Sequence, residues 1–259
     1  MRRLVEYETV TSRLLGVLAR STKFECQPSL DRILAENPKL LVVFNHGTPL
    51  SWLPAACLLT SHVCARGGGH RKPFAVMDRF FYSVPLLQSL AKYISQTDRP
   101  LRFQELIDAF QKMDAGDLVV FPEGSNCFFG PGDELQPFRS NRFIEIAIEA
   151  RVPVLICVHR GSEHWAKTVS VAPWIYLSLQ SIVGGTVIDR FLQGRLEKSG
   201  KVTIPILPTP MACFEMRAEL HHPSTWMLPA SGEERAERIA SEAKQIYEKM
   251  TAMLSELSR

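Results

Sequence analysis

Residues 40–44 constrain the fold more than any other stretch of the chain. All five are apolar, and Asn45, His46 and a Gly-Thr-Pro turn follow them directly. A short apolar run that ends in a turn predicts a buried β-strand. Asn45 and His46 then stand at the carboxyl end of that strand, where open α/β sheets bind their ligands. An imidazole there is either a general base that works near neutral pH or a hydrogen-bonding group at a strand end.

Further apolar runs alternate with helical patterns. Strands that alternate with helices at this interval predict βαβ units and a mostly parallel sheet. With no repeat and no convincing linker, we expect one α/β domain over residues 1–259, with a central sheet flanked by helices. Besides residues 40–44, strands are predicted at residues 73–77, 93–96, 118–121, 152–158, 169–179 and 201–207. Helices are predicted at residues 29–36, 52–64, 84–93, 103–113 and 142–150, and a polar loop at residues 184–200.

Both ends of the chain are predicted to be helical. Residues 1–25 form a basic amphipathic pattern, which indicates either a helix lying in a membrane interface or one packed on its own domain. Residues 231–258 carry an apolar stripe behind Ser231 and Glu234, which are spaced as a capping box. This C-terminal helix is expected to pack against the domain, since the stripe is short for a coiled coil.

Charge and cysteine usage narrow the function. Thirty Lys+Arg against 27 Asp+Glu leaves a net charge of +3, too small an excess to argue for nucleic acid. The six cysteines form no C-x-x-C pair and no zinc-type cluster with histidine, so no metal is expected. Scattered thiols without a secretory signal indicate a reducing, cytoplasmic compartment. No apolar run of about 18 residues is present. We therefore expect any membrane contact to be peripheral, at the cytoplasmic face.

Four stretches in the motif-bearing core, residues 40–160, together resemble the glycerolipid acyltransferase superfamily, which includes lysophosphatidic acid acyltransferases. The family carries Asn-His followed five residues later by Asp, then an Arg at a strand end, then Phe-Pro-Glu-Gly-Thr-Arg, then a Val-Pro-Val strand. The corresponding stretches here are Asn45-His46 with Ser51, then Arg99, then residues 121–126 (Phe-Pro-Glu-Gly-Ser-Asn), then residues 152–154 (Val-Pro-Val). Residues 135–139 (Leu-Gln-Pro-Phe-Arg) are also similar to the family's segment between its third and fourth motifs.

The resemblance implies the acyltransferase fold and an O-acyltransferase activity. A fatty acyl group would move from acyl-CoA or acyl-carrier protein to a hydroxyl of a lysophospholipid or related lipid, with no further cofactor. The resemblance makes His46 the general base and places Ser51 where the family has the Asp that orients the histidine. It places the acceptor against Asn45, Arg99, Glu123, Gly124, Ser125 and Asn126. An apolar groove for the acyl chain is expected near Trp52, Phe80, Phe81 and Phe128, although each of them is equally consistent with core packing.

Two positions depart from the family pattern. Ser51 can accept a hydrogen bond but supplies no negative charge to an imidazolium, so another carboxylate, Asp78 or Glu123, would have to approach His46. Asn126 replaces a basic residue, which weakens the expectation of a phosphate-bearing acceptor.

Several alternatives therefore stay open. Glu123 could simply hold backbone amides at its turn, and Arg139 and Arg142 could be surface charges or head-group ligands. The departures also leave room for a non-catalytic lipid-binding or regulatory protein, or for a thioesterase-like hydrolase with water as acceptor.

Overall fold

The computed structural model describes residues 1–172, 200–206, 208–229 and 231–257. The helices are α1 (Val5–Leu18), α2 (Leu30–Glu36), α3 (Trp52–Ala65), α4 (Arg79–Ser83), α5 (Pro85–Ser95), α6 (Phe103–Gln111), α7 (Arg142–Ala150) and α8 (Glu233–Glu256). The strands are β1 (Thr22–Gln27), β2 (Lys39–Phe44), β3 (Lys72–Ala75), β4 (Gly116–Val120), β5 (Val154–Arg160), β6 (Ala166–Ser170), β7 (Lys201–Pro205) and β8 (Phe214–His221).

Six of these strands form one sheet in the order β1-β8-β5-β2-β4-β3. The neighbours β5-β2-β4-β3 run parallel to one another, and β1 is parallel to β8. Only the β5–β8 pair within this sheet is antiparallel, and β6 and β7 form a separate antiparallel pair. The prediction of an α/β domain with a mostly parallel sheet flanked by helices is confirmed.

Strand β2 lies at the centre of the sheet because its apolar side chains point to both faces and are buried on both. Residues 40–44 are apolar without interruption, and each is at most 2% exposed. Parallel strands covered on both faces carry such continuous apolar runs, whereas half-exposed strands alternate. The register pairs Val42 with Val119 of β4 and with Leu155 of β5.

Alternate residues of β2 point into two separate cores. We call the side that holds Leu41 and Val43 the α7 face, because α6, α7 and α8 cover it with side chains such as Phe110, Ile144 and Ile246. We call the opposite side the α3 face. There Leu40, Val42 and Phe44 meet α1, α2 and α3 through the buried residues Leu15, Ile33 and Leu58.

Several local predictions are wrong. Residues 93–96 were predicted as a strand, but α5 continues through Ser95, and Pro85 occupies its first turn, where proline is well tolerated. Helix α8 is preceded by Gly232, and no side chain caps it, so Ser231 does not form the predicted capping box. The prediction missed β1, α4 and β8.

Other local predictions fall partly outside the described residues. Of the strand predicted at residues 169–179, the first two residues end β6 and residues 173–179 lie outside the described part of the chain, as do residues 184–199 of the predicted polar loop. Across the described helices, none has both the length and the apolar character needed to cross a bilayer.

Candidate active site

The loops after four parallel strands meet at one edge of the sheet. In the order of the strands β5, β2, β4 and β3, this edge carries His159, His46, Glu123 and Asp78. The carboxyl edge of parallel strands is the usual position of a ligand site in an open α/β sheet. The structure thus brings His46 and Glu123 together, as the sequence predicted.

Asn45 joins the ends of β2 and β5. Its side-chain Nδ2 donates to the carbonyl oxygen of His159 at 3.2 Å, and its Oδ1 accepts from the backbone N–H of His159 at 2.8 Å. The His159 ring adds a third link, because its Nε2 lies 2.9 Å from the Asn45 carbonyl oxygen. Asn45 is only 3% exposed. Its amide therefore extends the β2–β5 pairing past the end of β2, and substrate binding by Asn45 stays a prediction.

His46 is fixed through both its backbone and its ring. Its backbone N–H donates to Oε1 of Glu123 at 2.5 Å, and its ring Nδ1 lies 3.2 Å from the carbonyl oxygen of Thr48. A carbonyl oxygen can only accept, so this contact places the proton on Nδ1 and leaves the lone pair on Nε2. The backbone N–H of Ser51 also donates to the Thr48 carbonyl, at 3.0 Å, and so holds that oxygen in place.

The surroundings of His46 keep its imidazole neutral. Burial lowers the pKa of His46 below its usual value of 6.5, and the hydrogen bond to the Thr48 carbonyl only partly opposes that effect. A neutral imidazole with a free lone pair is the form that a general base requires. The ring lies against Phe121, with the two ring centroids 5.1 Å apart.

Ser51 belongs to a buried hydroxyl cluster and forms no hydrogen bond with the His46 ring. Its Oγ accepts from the backbone N–H of Thr48 at 3.0 Å and lies 2.6 Å from both Thr48 Oγ1 and Ser162 Oγ. Gly47 turns the chain here at φ +60°, and a Cβ on it would stand 3.2 Å from Ser51 Oγ. The structure thus gives Ser51 an indirect role, since it shapes the turn that presents the Thr48 carbonyl to His46.

Glu123 uses both carboxylate oxygens on backbone groups. Oε1 accepts from the N–H of His46, and Oε2 accepts from the N–H of Gln136 at 2.6 Å. Burial raises the pKa of Glu123 to about 8, against the opposite effect of these two N–H donors. This is the structural role that the sequence left open for Glu123. Asp78 is engaged elsewhere, so no carboxylate of the described residues forms a hydrogen bond with the His46 ring.

The three residues after Glu123 form a tight turn under the loop of residues 131–139. Gly124 adopts φ +53°, a left-handed conformation that glycine reaches without strain, and it opens a short 3-10 helix (Gly124–Phe128). Ser125 Oγ lies 3.4 Å from Nη1 of Arg139. Asn126 Nδ2 donates to the carbonyl oxygen of Pro137 at 2.8 Å, so this position holds the overlying loop rather than offering a charge.

Two of the three arginines named by sequence, Arg99 and Arg139, have different surroundings. Arg99 pairs with Glu105, in the first turn of α6, through two hydrogen bonds of 2.8 and 3.0 Å, and its side chain is 61% exposed. No hydrogen bond or ion pair of the described residues joins Arg99 to His46 or Glu123, so its role in binding the acceptor stays a prediction. Among the described residues, Arg139, left open between surface charge and head-group ligand, reaches the turn that follows Glu123. The sequence signal that pointed to Arg139 was the family-like segment of residues 135–139.

An apolar cavity of about 340 Å³ lies on the α3 face of the sheet. Its wall includes Phe44 and Phe121, whose rings stack with centroids 5.3 Å apart beside His46. The cavity extends along the strands to Pro73 and Asp117, at the edge of the sheet opposite to His46. Asp117 precedes Phe121 by four residues, which corresponds to a length of about 13 Å at the usual rise of a strand. Helices α1, α3 and α5 supply the remaining lining, which is almost entirely apolar.

The cavity also reaches the protein surface between α1 and α5. Three of its lining residues are strongly exposed: Val10 at 59%, Leu90 at 49% and Tyr93 at 41%. Trp52 lines the cavity as the sequence predicted. Phe80, Phe81 and Phe128 are not among the residues that line this cavity, so their part in an acyl-chain groove stays a prediction. The cavity instead uses α1 and α5, whose contribution sequence periodicity did not indicate.

The part of the chain that the structure describes contains no group of three or more His, Cys, Asp or Glu side chains arranged to hold a metal ion. The candidate site comprises the His46 imidazole, the buried carboxyl group of Glu123, the hydroxyl cluster around Ser51 and the neighbouring apolar cavity.

Comparisons with known proteins give one kind of match. No protein-family model matches the chain, and no curated protein sequence matches it. Among solved structures, the chain is similar to the crystal structure of a 1-acyl-sn-glycerophosphate (LPA) acyltransferase from Thermotoga maritima, with 19% sequence identity and a TM-score of 0.47. That match covers 96% of this chain and 80% of the other.

Proposed function

We propose that this chain is an O-acyltransferase that moves a fatty acyl group from an acyl thioester to a hydroxyl of a lysophospholipid or related lipid. The observation that carries the proposal is the position of a neutral His46 imidazole beside the aromatic end of the apolar cavity. The base and the binding space for an acyl chain lie side by side. Acyl-CoA and acyl-carrier protein are the two donors that we expect.

The reaction needs one proton acceptor and one proton donor, and His46 serves as both. Nε2 takes the proton of the acceptor hydroxyl as the oxygen attacks the thioester carbonyl carbon. When the tetrahedral intermediate collapses, the C–S bond breaks, and the leaving sulfur takes the proton back from the imidazolium. The products are an ester and a free thiol, so release of the thiol reports each turnover.

The protein stabilises the imidazolium only weakly. The ring Nδ1–H faces the Thr48 carbonyl, a neutral dipole, and not a carboxylate. A carboxylate partner would stabilise the charge that develops on the ring, and in the serine protease triad replacing that partner by an amide costs about 10⁴-fold in turnover, chiefly through the wrong tautomer. Here the carbonyl keeps the correct tautomer, so the expected loss is smaller. We infer a slower enzyme that retains its base.

The acyl chain of the donor fits the cavity by size and polarity. Small-molecule pockets span about 300–1,000 Å³ and are mainly apolar, and this cavity has about 340 Å³. Each buried methylene contributes about 0.8 kcal/mol. The chain would lie along β2 and β4 with its thioester at Phe121 and His46.

Purified protein tests the proposal directly. It is given acyl-CoA or acyl-carrier-protein donors with a panel of lysolipids, and free thiol is measured. Since general base catalysis contributes about 10²–10⁴-fold, we expect His46→Ala to lower the rate by that factor with an unchanged melting temperature. His70→Ala, at an exposed histidine of the same chain, is the matched control. Equal turnover by His46→Ala would eliminate the proposed base.

A non-catalytic lipid-binding protein is the second candidate. The observation that favours it is that no carboxylate of the described part of the chain forms a hydrogen bond with the His46 ring, which lies beside an intact apolar cavity. It predicts lysolipid or fatty acid binding with no thiol release from any donor. A thioesterase-like reaction would differ again, because thiol would then appear at the same rate without any lysolipid.

Peripheral membrane contact is part of the proposal. Val10 and Val17 lie seven residues apart on one side of α1 and are 59% and 67% exposed. Arg13 and Arg20 are also exposed on or beside this helix. An exposed apolar stripe with nearby basic side chains favours binding to an anionic lipid surface, and α1 also borders the surface opening of the cavity.

A further inference from the structure

The turn of residues 48–51 positions the carbonyl oxygen that faces the His46 ring. Ser51 binds both backbone polar groups of Thr48: its N–H donates to the Thr48 carbonyl at 3.0 Å, and its Oγ accepts from the Thr48 N–H at 3.0 Å. The Thr48 carbonyl lies 3.2 Å from Nδ1 of His46, at the outer end of the usual N–H···O range of about 2.7–3.2 Å. A small displacement of the turn would therefore break the contact that fixes the His46 tautomer.

The hydrogen-bonding capacity of the Ser51 hydroxyl is full. A hydroxyl offers one proton and two lone pairs. The Thr48 N–H uses one lone pair, and Thr48 Oγ1 and Ser162 Oγ each lie 2.6 Å from Ser51 Oγ. Ser51 thus donates to one of these two hydroxyls and accepts from the other. It has no capacity left for the His46 ring and acts on the imidazole only through the turn.

Ser162 contacts Ser51 from a different strand end, the loop after β5. This loop is held in place by its own contacts. Gly161 adopts φ +119°, where a Cβ would clash with the Cys213 carbonyl oxygen, and the Ser162 carbonyl accepts from the N–H of the buried Trp165 at 2.9 Å. Of the three contacts to Ser51 Oγ, two come from its own turn and one from Ser162. Ser162 therefore ties the turn to β5.

The three hydroxyls lie in the protein interior. Thr48, Ser51 and Ser162 are each at most 3% exposed, so bulk water does not reach them. A buried polar group that loses its partner is costly in free energy. Removal of the Ser162 hydroxyl should therefore make Ser51 reorient, and the Thr48 backbone that Ser51 holds should move with it.

We propose that Ser162 is a positioning residue of the candidate active site, which acts through Ser51 to hold the Thr48 carbonyl on Nδ1 of His46. This contact keeps the proton on Nδ1 and the lone pair on Nε2. The inference rests on the proposed acyl transfer, in which Nε2 takes the proton of the acceptor hydroxyl. Ser162 lies outside the motif-bearing core of residues 40–160, so the family resemblance did not indicate it.

The first test observes the imidazole directly. NMR of protein labelled with ¹⁵N-histidine distinguishes a protonated ring nitrogen from one with a free lone pair, and His46→Gln identifies the His46 signals. We expect the proton on Nδ1 in the neutral ring of the wild type. In Ser162→Ala the two nitrogens should become more alike, because both tautomers are then populated.

Ser95→Ala is the matched control for this measurement. It removes a fully buried serine hydroxyl from another cluster, where Tyr82 and Thr97 donate to Ser95 Oγ. The His46 signals should stay unchanged in this variant. If Ser162→Ala does not fold, Ser162→Cys repeats the measurement, since a thiol has a similar shape but is only a weak hydrogen-bond donor and acceptor.

The second test measures turnover. Ser162→Ala should lower kcat for thiol release about three- to tenfold, the change that corresponds to one neutral hydrogen bond. The KM values for donor and acceptor should not change, because Ser162 acts on the base and not on the substrates. Ser162→Thr keeps the hydroxyl and should recover most of the loss. In a Ser51→Ala background, Ser162→Ala should cause no further loss, since the proposed path runs through Ser51.

Two results would overturn the assignment. One is an unchanged His46 tautomer in Ser162→Ala, and the other is a full additional loss of kcat when Ser162→Ala is combined with Ser51→Ala. Failure of the proposed function looks different. The wild type would then release no thiol from any donor, while the NMR contrast between Ser162→Ala and Ser95→Ala would persist.

Discussion

The two faces of the sheet are packed in different ways from the same strands. On the α7 face, residues from α6, α7 and α8 fill the space over Leu41 and Val43, and Ile144 and Ala147 are fully buried there. On the α3 face, Val42 and Phe44 meet helices that leave a cavity of about 340 Å³ between them. Protein interiors are otherwise packed like organic crystals.

The two faces therefore differ in how completely their apolar side chains are packed. A closed core of fully buried side chains contributes hydrophobic free energy for each apolar area removed from water. Because the α3 face contains a cavity, it lacks part of this hydrophobic free energy. The cavity lies beside His46. We infer that the α7 face keeps the sheet rigid while the α3 face accommodates a lipid chain, and the following experiments test that division.

The largest effect is expected from acid, through a buried histidine of the α3 face. Burial lowers the pKa of His159 from 6.5 to about 3. The unfolded chain binds more protons than the folded chain between those values, so stability falls as pH falls from 6.5 toward 3. One group shifted by this much contributes on the order of 5 kcal/mol. Denaturant unfolding followed at several pH values measures the loss.

His159→Gln is the control for this acid effect. The glutamine amide can still donate to the Asn45 carbonyl but does not titrate, so the acid limb of the stability curve should flatten. Glu123 acts in the opposite direction, because burial raises its folded-state pKa to about 8. The stability that Glu123 contributes to the folded state therefore declines as pH rises from 4.5 through 8. An unchanged acid limb in His159→Gln would show that other groups govern it.

The second effect compares truncations on the two faces. Ile144→Ala removes a fully buried side chain from the α7 face and should lower the free energy of unfolding by about 2–5 kcal/mol. Leu53→Ala removes a side chain that already borders the cavity, so it should cost at most about 1 kcal/mol. Urea unfolding of both variants decides the matter. Similar losses would mean that the α3 face packs as tightly as the α7 face.

The third effect adds volume in place of removing it. Ala147→Phe overpacks the α7 face and should destabilise the protein by about 1–3 kcal/mol or prevent folding. Ala56→Phe fills part of the cavity and should leave the melting temperature nearly unchanged while it lowers thiol release from long-chain donors more than from short-chain donors. Equal rates with both donors would place the acyl chain elsewhere.

The smallest effect concerns the exposed side of α1. Aspartate at both Val10 and Val17 should reduce sedimentation with phosphatidylglycerol vesicles by about three- to tenfold, because two apolar contacts are replaced by charges. Met227→Asp changes an even more exposed apolar residue, at 76%, far along the sequence and should have little effect. Unchanged sedimentation of the α1 variant would remove α1 from the membrane proposal.

Sequence predicted the fold where the local pattern decides it. Residues 40–44 and 142–150 have continuous or helical apolar patterns, and both form the expected elements. Strand β8 was missed although Phe214, Met216 and Ala218 alternate with charged residues, which is itself a strand pattern. The misassigned strand at residues 93–96 shows the ambiguity of short apolar runs, which packing resolves as the end of a helix.

The sequence also predicted that His46 and Glu123 lie at one edge of the sheet. It did not predict the contacts that define their roles. Which oxygen faces the imidazole depends on a turn, and the turn presents the Thr48 carbonyl while Ser51 stays within its hydroxyl cluster. The choice between Arg99 and Arg139 depends on which carboxylate each one meets, Glu105 or Asp78. The Arg139–Asp78 pair joins residues 61 positions apart in the sequence, a long-range contact that no motif spacing encodes.

Helix α1 has a consequence for how such a protein can diversify. It forms one wall of the cavity through Tyr7, Val10 and Leu14, yet it supplies none of the groups at the carboxyl edge of the sheet. In the proposed acyltransferase, substitutions along this single helix would reshape the compartment for the hydrophobic tail and leave the proposed base, His46, in place. Under that proposal, selectivity for the tail and reactivity at the ester would evolve separately, and exchanging the first helix between homologous proteins would transfer the selectivity alone.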